Sequence, residues 1–104
     1  GEPTHAIRRR VEAARAIQHS RAGKANAQLG QSETMAFCQL KERDQALLER
    51  AIERLQLSAR SMHRILRVAR TIADLAGKPG IETPHLTEAL GYRRVDRGAT
   101  RSAA

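Results

Sequence analysis

One stretch constrains the fold of this chain more than any other: LSARSMHRILRVARTIADLAG, from Leu57 to Gly77. It is punctuated at both ends. Ser58 is placed to cap a helix start, and Leu57 before it and Met62 after it have the spacing of a hydrophobic staple. Gly77 supplies a left-handed stop. Between these signals Ile65, Val68, Ala69, Ile72, Ala73 and Leu75 recur at helical spacing and predict the buried side of a long helix. A helix with so long an apolar side has to lay it against other elements, so the rest of the chain must supply partners. The same stretch carries Arg60, Arg64, Arg67 and Arg70, more arginines than packing a small core requires.

The partners read as helices too. Aromatic residues make up only 2% of the 104 residues, and β-branched runs are missing. Ala, Leu, Arg, Gln and Glu dominate, the side chains that lose little rotamer freedom in a helix. PTHAIRRRVEAARAIQHSR predicts a first helix with Thr4 as its N-cap and Ile7, Val11, Ala14 and Ile17 at helical spacing. RAGKANAQLGQS reads as a loop whose Asn26, Ala27 and Leu29 dock onto the core. SETMAFCQL predicts a short helix capped by Ser32, with Met35, Ala36, Phe37 and Leu40 as its apolar contacts. ERDQALLERAIERLQ is amphipathic, with Leu47, Leu48, Ala51, Ile52 and Leu55 in one stripe. After a KPG turn, TPHLTEALGYR predicts a last helix with Thr83 as cap and Pro84 at the first helical position, where its missing N–H costs nothing. The expected architecture is an all-α bundle of about five helices over residues 1–97, followed by a small, polar, basic tail at 98–104 that is expected to be disordered. At this length the chain holds one domain at most, with a single small core. It opens on Gly1, which suggests a piece of a longer protein or a processed product.

The formal net charge is +8, and nearly all of the positive charge is arginine, whose planar fork of donors suits phosphate and carboxylate oxygens. Such an excess points to a polyanionic partner or, equally, to a soluble basic surface without a specific one. Cys38 is the single cysteine, which excludes an intrachain disulfide and fits a reducing compartment. As a small hydrophobe in an apolar segment it reads as a buried structural thiol. No apolar run approaches the roughly 18 residues that span a bilayer, and IRRRVEAARAI is too charged for a signal-peptide core. The expected location is the cytoplasm.

The motifs of self-contained chemistry are missing from the sequence. There is no G-x-x-x-x-G-K-[ST] loop, H-E-x-x-H, C-x-x-C or G-x-S-x-G. His5, His19, His63 and His85 have no metal-ligand spacing and read as surface or core-edge residues. No catalytic residue and no metal ligand is assigned. The arginines of the central helix remain. Arg60, Arg64 and Arg67, four and three apart, share one face. Arg70 lies nearer the other flank, four residues before Asp74, a spacing that predicts a local ion pair. Arg60 falls in the first turn, where a cation opposes the helix dipole but where backbone N–H groups attract anions. Its position suits a phosphate contact. The alternative is a solvated arginine face.

LSARSMHRILRVARTIADLAG followed by IETPHLTEALGYRRVDR strongly resembles the C-terminal domain of magnesium-chelatase-like AAA+ ATPases of the competence protein ComM group. AIRRRVEAARAIQ and NAQL fit the same pattern, so the resemblance runs from about Pro3 to Arg97. It implies the helical lid that follows a nucleotide-binding core. In such lids the arginine of a Ser-x-Arg string, here Arg60, is the sensor-2 residue that contacts the ATP γ-phosphate through a charge-assisted bond. It acts either in its own subunit or on a neighbour's nucleotide. Arg64 and Arg67 match the string as auxiliary contacts to phosphate, a neighbouring subunit or DNA. The resemblance further implies ATP and Mg²⁺ in the full-length protein, bound by an upstream core with none held tightly by this fragment. It also implies a hexamer and a DNA helicase acting in branch migration during natural transformation. The fragment alone is expected to be no enzyme. An independent basic helical DNA-binding module is the competing expectation.

Overall fold

The structure is a computed structural model and describes residues 3–92. The expected tail, and residues 93–97 of the expected domain, lie outside that range. Among the described residues there are five α-helices, one 3₁₀ turn and no strand. The helices are α1 (Thr4–Ala22), α2 (Gln31–Phe37), α3 (Glu42–Leu55), α4 (Ala59–Leu75) and α5, which covers 83–92; the 3₁₀ turn is Asn26–Gln28. The expected all-α bundle is what forms.

The long central helix organises the rest. α1, the 3₁₀ turn and α2 all pack against α4. Ile65, Leu66, Ala69 and Ala73 of α4 sit at the centre of one core with Leu29, Cys38, Leu48, Ile81, Leu86 and Ala89. Its buried arc is wider than the apolar spacing alone indicates, because His63, Arg70 and Asp74 are buried as well. Leu75, expected inside, is exposed. The heptad-like return from Leu66 through Arg70 to Ala73 and Asp74 brings a second line of side chains inward, and Leu75 falls on the opposite side of the helix.

The ends of α4 are built as the sequence predicts. Ser58 Oγ accepts a hydrogen bond from the Ser61 N–H at 3.1 Å, satisfying one of the donors that a helix start leaves open. Leu57 and Met62 both pack against the core. At the other end Gly77 adopts φ +70°. Its N–H reaches the Asp74 carbonyl, and the Lys78 N–H reaches the Ala73 carbonyl. This paired closure requires a left-handed residue and favours glycine.

Three other expected caps are corrected. Thr4 lies inside α1, and Pro3 takes the N-cap position without a side-chain bond. Ser32 lies in the first turn of α2. There Gly30 is the cap, and its N–H donates to Glu33 Oε1 at 2.9 Å. At α5 the Glu82 N–H donates to His85 Nδ1 at 2.9 Å, while the Thr83 hydroxyl turns away to donate to Asp44 Oδ1 at 2.6 Å. The segment read as a loop contains the 3₁₀ turn, which buries Asn26 and leads to buried Leu29; Ala27 stays exposed. On α1 only Ala14 and Gln18 are buried, whereas Ile7, Val11 and Ile17 are exposed. No helix is long and apolar enough to cross a membrane among the described residues.

Candidate functional site

α4 carries four arginines with two fates: Arg60, Arg64 and Arg67 follow one face from the helix start, and Arg70, one turn beyond Arg67, is buried. At the start, Ser58 is extended (φ −76°, ψ 164°) and turns the chain into the helix. Arg60 follows in the first turn. Its side chain is exposed and bonds to no described residue. Beside it the first backbone N–H groups of the helix have no intrahelical acceptor. A cation and open amide donors therefore share the capped end, an arrangement that would receive an anion such as a phosphate oxygen. Arg64 is exposed one turn further on, and Arg67 is half-buried on the same face. The expected face of Arg60, Arg64 and Arg67 is thus present, with Arg60 outermost along the helix.

Arg70 belongs to a different construction. Its Nη2 lies 2.9 Å from Asp74 Oδ1, the ion pair that the spacing predicts. Its guanidinium also donates to the Lys78 carbonyl at 2.9 Å and to the Pro79 carbonyl at 3.1 Å. The residue is buried and holds the KPG turn onto the helix end.

The pair is only half of that construction. Arg21, in the last turn of α1, meets the same carboxylate bidentately: Nη2 to Oδ1 at 2.7 Å and Nη1 to Oδ2 at 3.1 Å. Asn26 Nδ2 donates to Asp74 Oδ2 at 2.9 Å and to Thr71 Oγ1 at 3.0 Å, and the Asn26 N–H donates to Gln18 Oε1 at 3.0 Å. Fork-on-carboxylate contacts are the strong class of charged hydrogen bond. Burial alone would raise the Asp74 carboxyl. The hydrogen bonds from Arg21 and Asn26, and the charges of Arg70 and Arg21, outweigh it and hold the group below the usual carboxylate range. Sequence reasoning does not find Arg21 or Asn26 as partners here, because 53 and 48 residues separate them from Asp74. The one available signal is the NAQL string, which marks Asn26 without naming its partner.

The remaining candidates resolve as structural groups. Cys38 is 2% exposed. Burial pushes its thiol up to about 11 despite the nearby charges of Arg70, Arg21 and Arg67, so it stays protonated and unreactive at neutral pH. His85 serves the α5 start, and His63 is buried along α4. His5 and His19 are exposed. Among the described residues no group of three or more His, Cys, Asp or Glu side chains is arranged to hold a metal ion.

The family model described as magnesium chelatase, subunit ChlI C-terminal, matches residues 1–93. Competence protein ComM of Haemophilus influenzae is 50% identical over 97 residues, covering 93% of this chain and 19% of that protein. The YifB protein of Escherichia coli is 43% identical over a stretch of the same length, and that of Salmonella typhimurium 41%. The chain therefore spans about a fifth of the length of these relatives. No solved structure matches it. By the family match over almost its full length and by these identities, the chain belongs to the magnesium chelatase subunit ChlI C-terminal family.

Proposed function

We propose that this domain is the helical lid of a magnesium-chelatase-like AAA+ ATPase and that Arg60 is its phosphate-sensing arginine. The observation that carries the reading is the α4 start. An exposed arginine without a described partner stands in the first turn of a Ser-capped helix, beside N–H groups that have no intrahelical acceptor. Such a group suits the γ-phosphate of ATP, either in its own subunit or in the neighbour's of a hexamer. Contact to ATP and its loss on hydrolysis would bias the lid between two angles. Mg²⁺ and the catalytic groups belong to the preceding core, so this chain alone has negligible turnover. The whole protein on this reading is a cytoplasmic ComM-like DNA helicase of natural transformation. Arg64 and Arg67 extend the same face toward phosphate, a neighbouring subunit or DNA.

The test is Arg60→Ala in the full-length protein. Loss of one hydrogen bond to a charged group, about 1.5–3 kcal/mol, lowers ATP turnover roughly tenfold to a hundredfold. Thermal stability of the domain stays within about 0.5 kcal/mol, as for an exposed side chain. Wild-type turnover in the variant overturns the assignment.

A second reading rests on exposed Arg8, Arg9, Arg10 and Arg15 of α1. A DNA-binding module would use them on phosphates, with affinity falling steeply as salt rises. Titration of this chain against duplex and single-stranded DNA at two salt concentrations separates the readings. Tight, salt-sensitive binding favours the module, and no binding at low salt excludes it.

A further inference from the structure

α1 is fastened at one end, and by polar bonds. The core draws none of its buried residues from this helix, and Ala22 alone packs against it as a half-buried neighbour. Ala14, the one buried apolar residue of α1, is not among the core residues. Lifting α1 away therefore uncovers little apolar surface, the quantity that makes an element costly to open. What holds the helix is concentrated in its last turns. Arg21 grips Asp74 with both arms of its fork, and its Nη1 also reaches Asn26 Oδ1 at 3.3 Å. Gln18 Oε1 accepts from the Asn26 N–H. A fork on a carboxylate holds in one orientation, so α1 is either seated or off, and positions between forfeit both arms.

The chain on the far side of the joint is tied down without α1. Asn26 donates to Asp74 Oδ2 and to Thr71 Oγ1 of α4, Lys24 pairs with Glu33 of α2 at 3.0 Å, and Leu29 is in the core. Arg70 stays on Asp74 whether or not Arg21 does. When Arg21 lets go, the buried carboxylate thus keeps a guanidinium and a carboxamide, and the chain from Lys24 onward keeps its place. Between the two fastened parts stands Gly23, at φ +72° with open space where a side chain would begin. It is a residue with wide backbone freedom at the one point where the chain has to turn. We infer that α1 is a strap latched by Arg21 on Asp74, which swings off at Gly23 while α2, α3, α4 and α5 stay folded around the core. This opening needs neither Arg60 nor a nucleotide, so it stands or falls separately from the lid reading.

The experiment is native-state hydrogen exchange of this chain at urea concentrations below its unfolding transition. Amides of 14–22 are expected to exchange through an opening roughly tenfold or more populated than the one that exposes the amides of 65–73 in α4. Arg15→Gly, at an exposed position outside the latch, weakens the helix itself and speeds exchange of 14–22 about fivefold, with α4 unchanged. Arg21→Met speeds exchange of 14–22 roughly tenfold or more and that of α4 by less, because Arg70 and Asn26 still answer Asp74. A single opening shared by α1 and α4, shifted equally in both by Arg15→Gly, overturns the inference. So does exchange of 14–22 that Arg21→Met leaves unaltered, which places the fastening elsewhere. Wild-type amides of 14–22 without protection overturn it as well, because the strap is then never seated.

Discussion

At Asp74 one carboxylate answers two guanidiniums and a carboxamide, all brought from different parts of the chain. Replacing it with alanine would leave Arg70 buried without a counter-charge and release Arg21 and Asn26 together. The expected loss is about 3–5 kcal/mol, measured by urea or thermal unfolding of the Asp74→Ala variant. This is a large share of the roughly 5–15 kcal/mol that holds a domain together. The same carboxylate links stability to pH. Its pKa is lower in the folded chain than the value of about 3.9 expected when unfolded. Its contribution is therefore fully present above about pH 4 and is lost as pH falls through the folded value. The melting temperature of the wild type should fall more steeply below about pH 4 than that of Asp74→Asn. Parallel slopes in the two proteins would show that Asp74 carries no such linkage.

Among the elements, the helix starts show how local signals compete with distant ones. Ser58 caps α4 because nothing else claims its hydroxyl except neighbouring Ser61. Thr83 has equally good local credentials, but buried Asp44 takes its hydroxyl and the imidazole of His85 serves the backbone instead. At α2 the residue that reaches the open N–H is Glu33, and its contacts with Gly30 and Lys24 hold its carboxyl below the usual range. Ser58→Ala should cost about 1 kcal/mol, or a fall of about 4–8 °C in the melting temperature of a domain this size. Thr83→Val should cost more than a lost cap, because it leaves the buried Asp44 oxygen without its short bond. Thermal melts of the two variants side by side check the order.

For the molecule as a whole, α4 is the post on which everything else hangs, and its two faces divide the work. The apolar side closes the core against α2, α3 and α5, where Leu48 is completely buried. Leu48→Ala should cost about 2–5 kcal/mol by leaving a cavity at the centre, measured by denaturant unfolding. α1 adds little to that core and is fastened mainly by the Gln18, Arg21, Asn26 and Asp74 bonds. The sequence alone settled the helical class, the length and both caps of α4, the Arg70–Asp74 pair and the shared face of Arg60, Arg64 and Arg67. All of these depend on residues within a few turns of one another, where spacing and backbone geometry decide. The tertiary structure decided that Arg21 and Asn26 converge on Asp74, that Asp44 claims Thr83, and that Ile7 and Val11 remain uncovered. Those outcomes depend on which distant segments meet, and a periodic pattern says that a face is apolar without saying what lies against it.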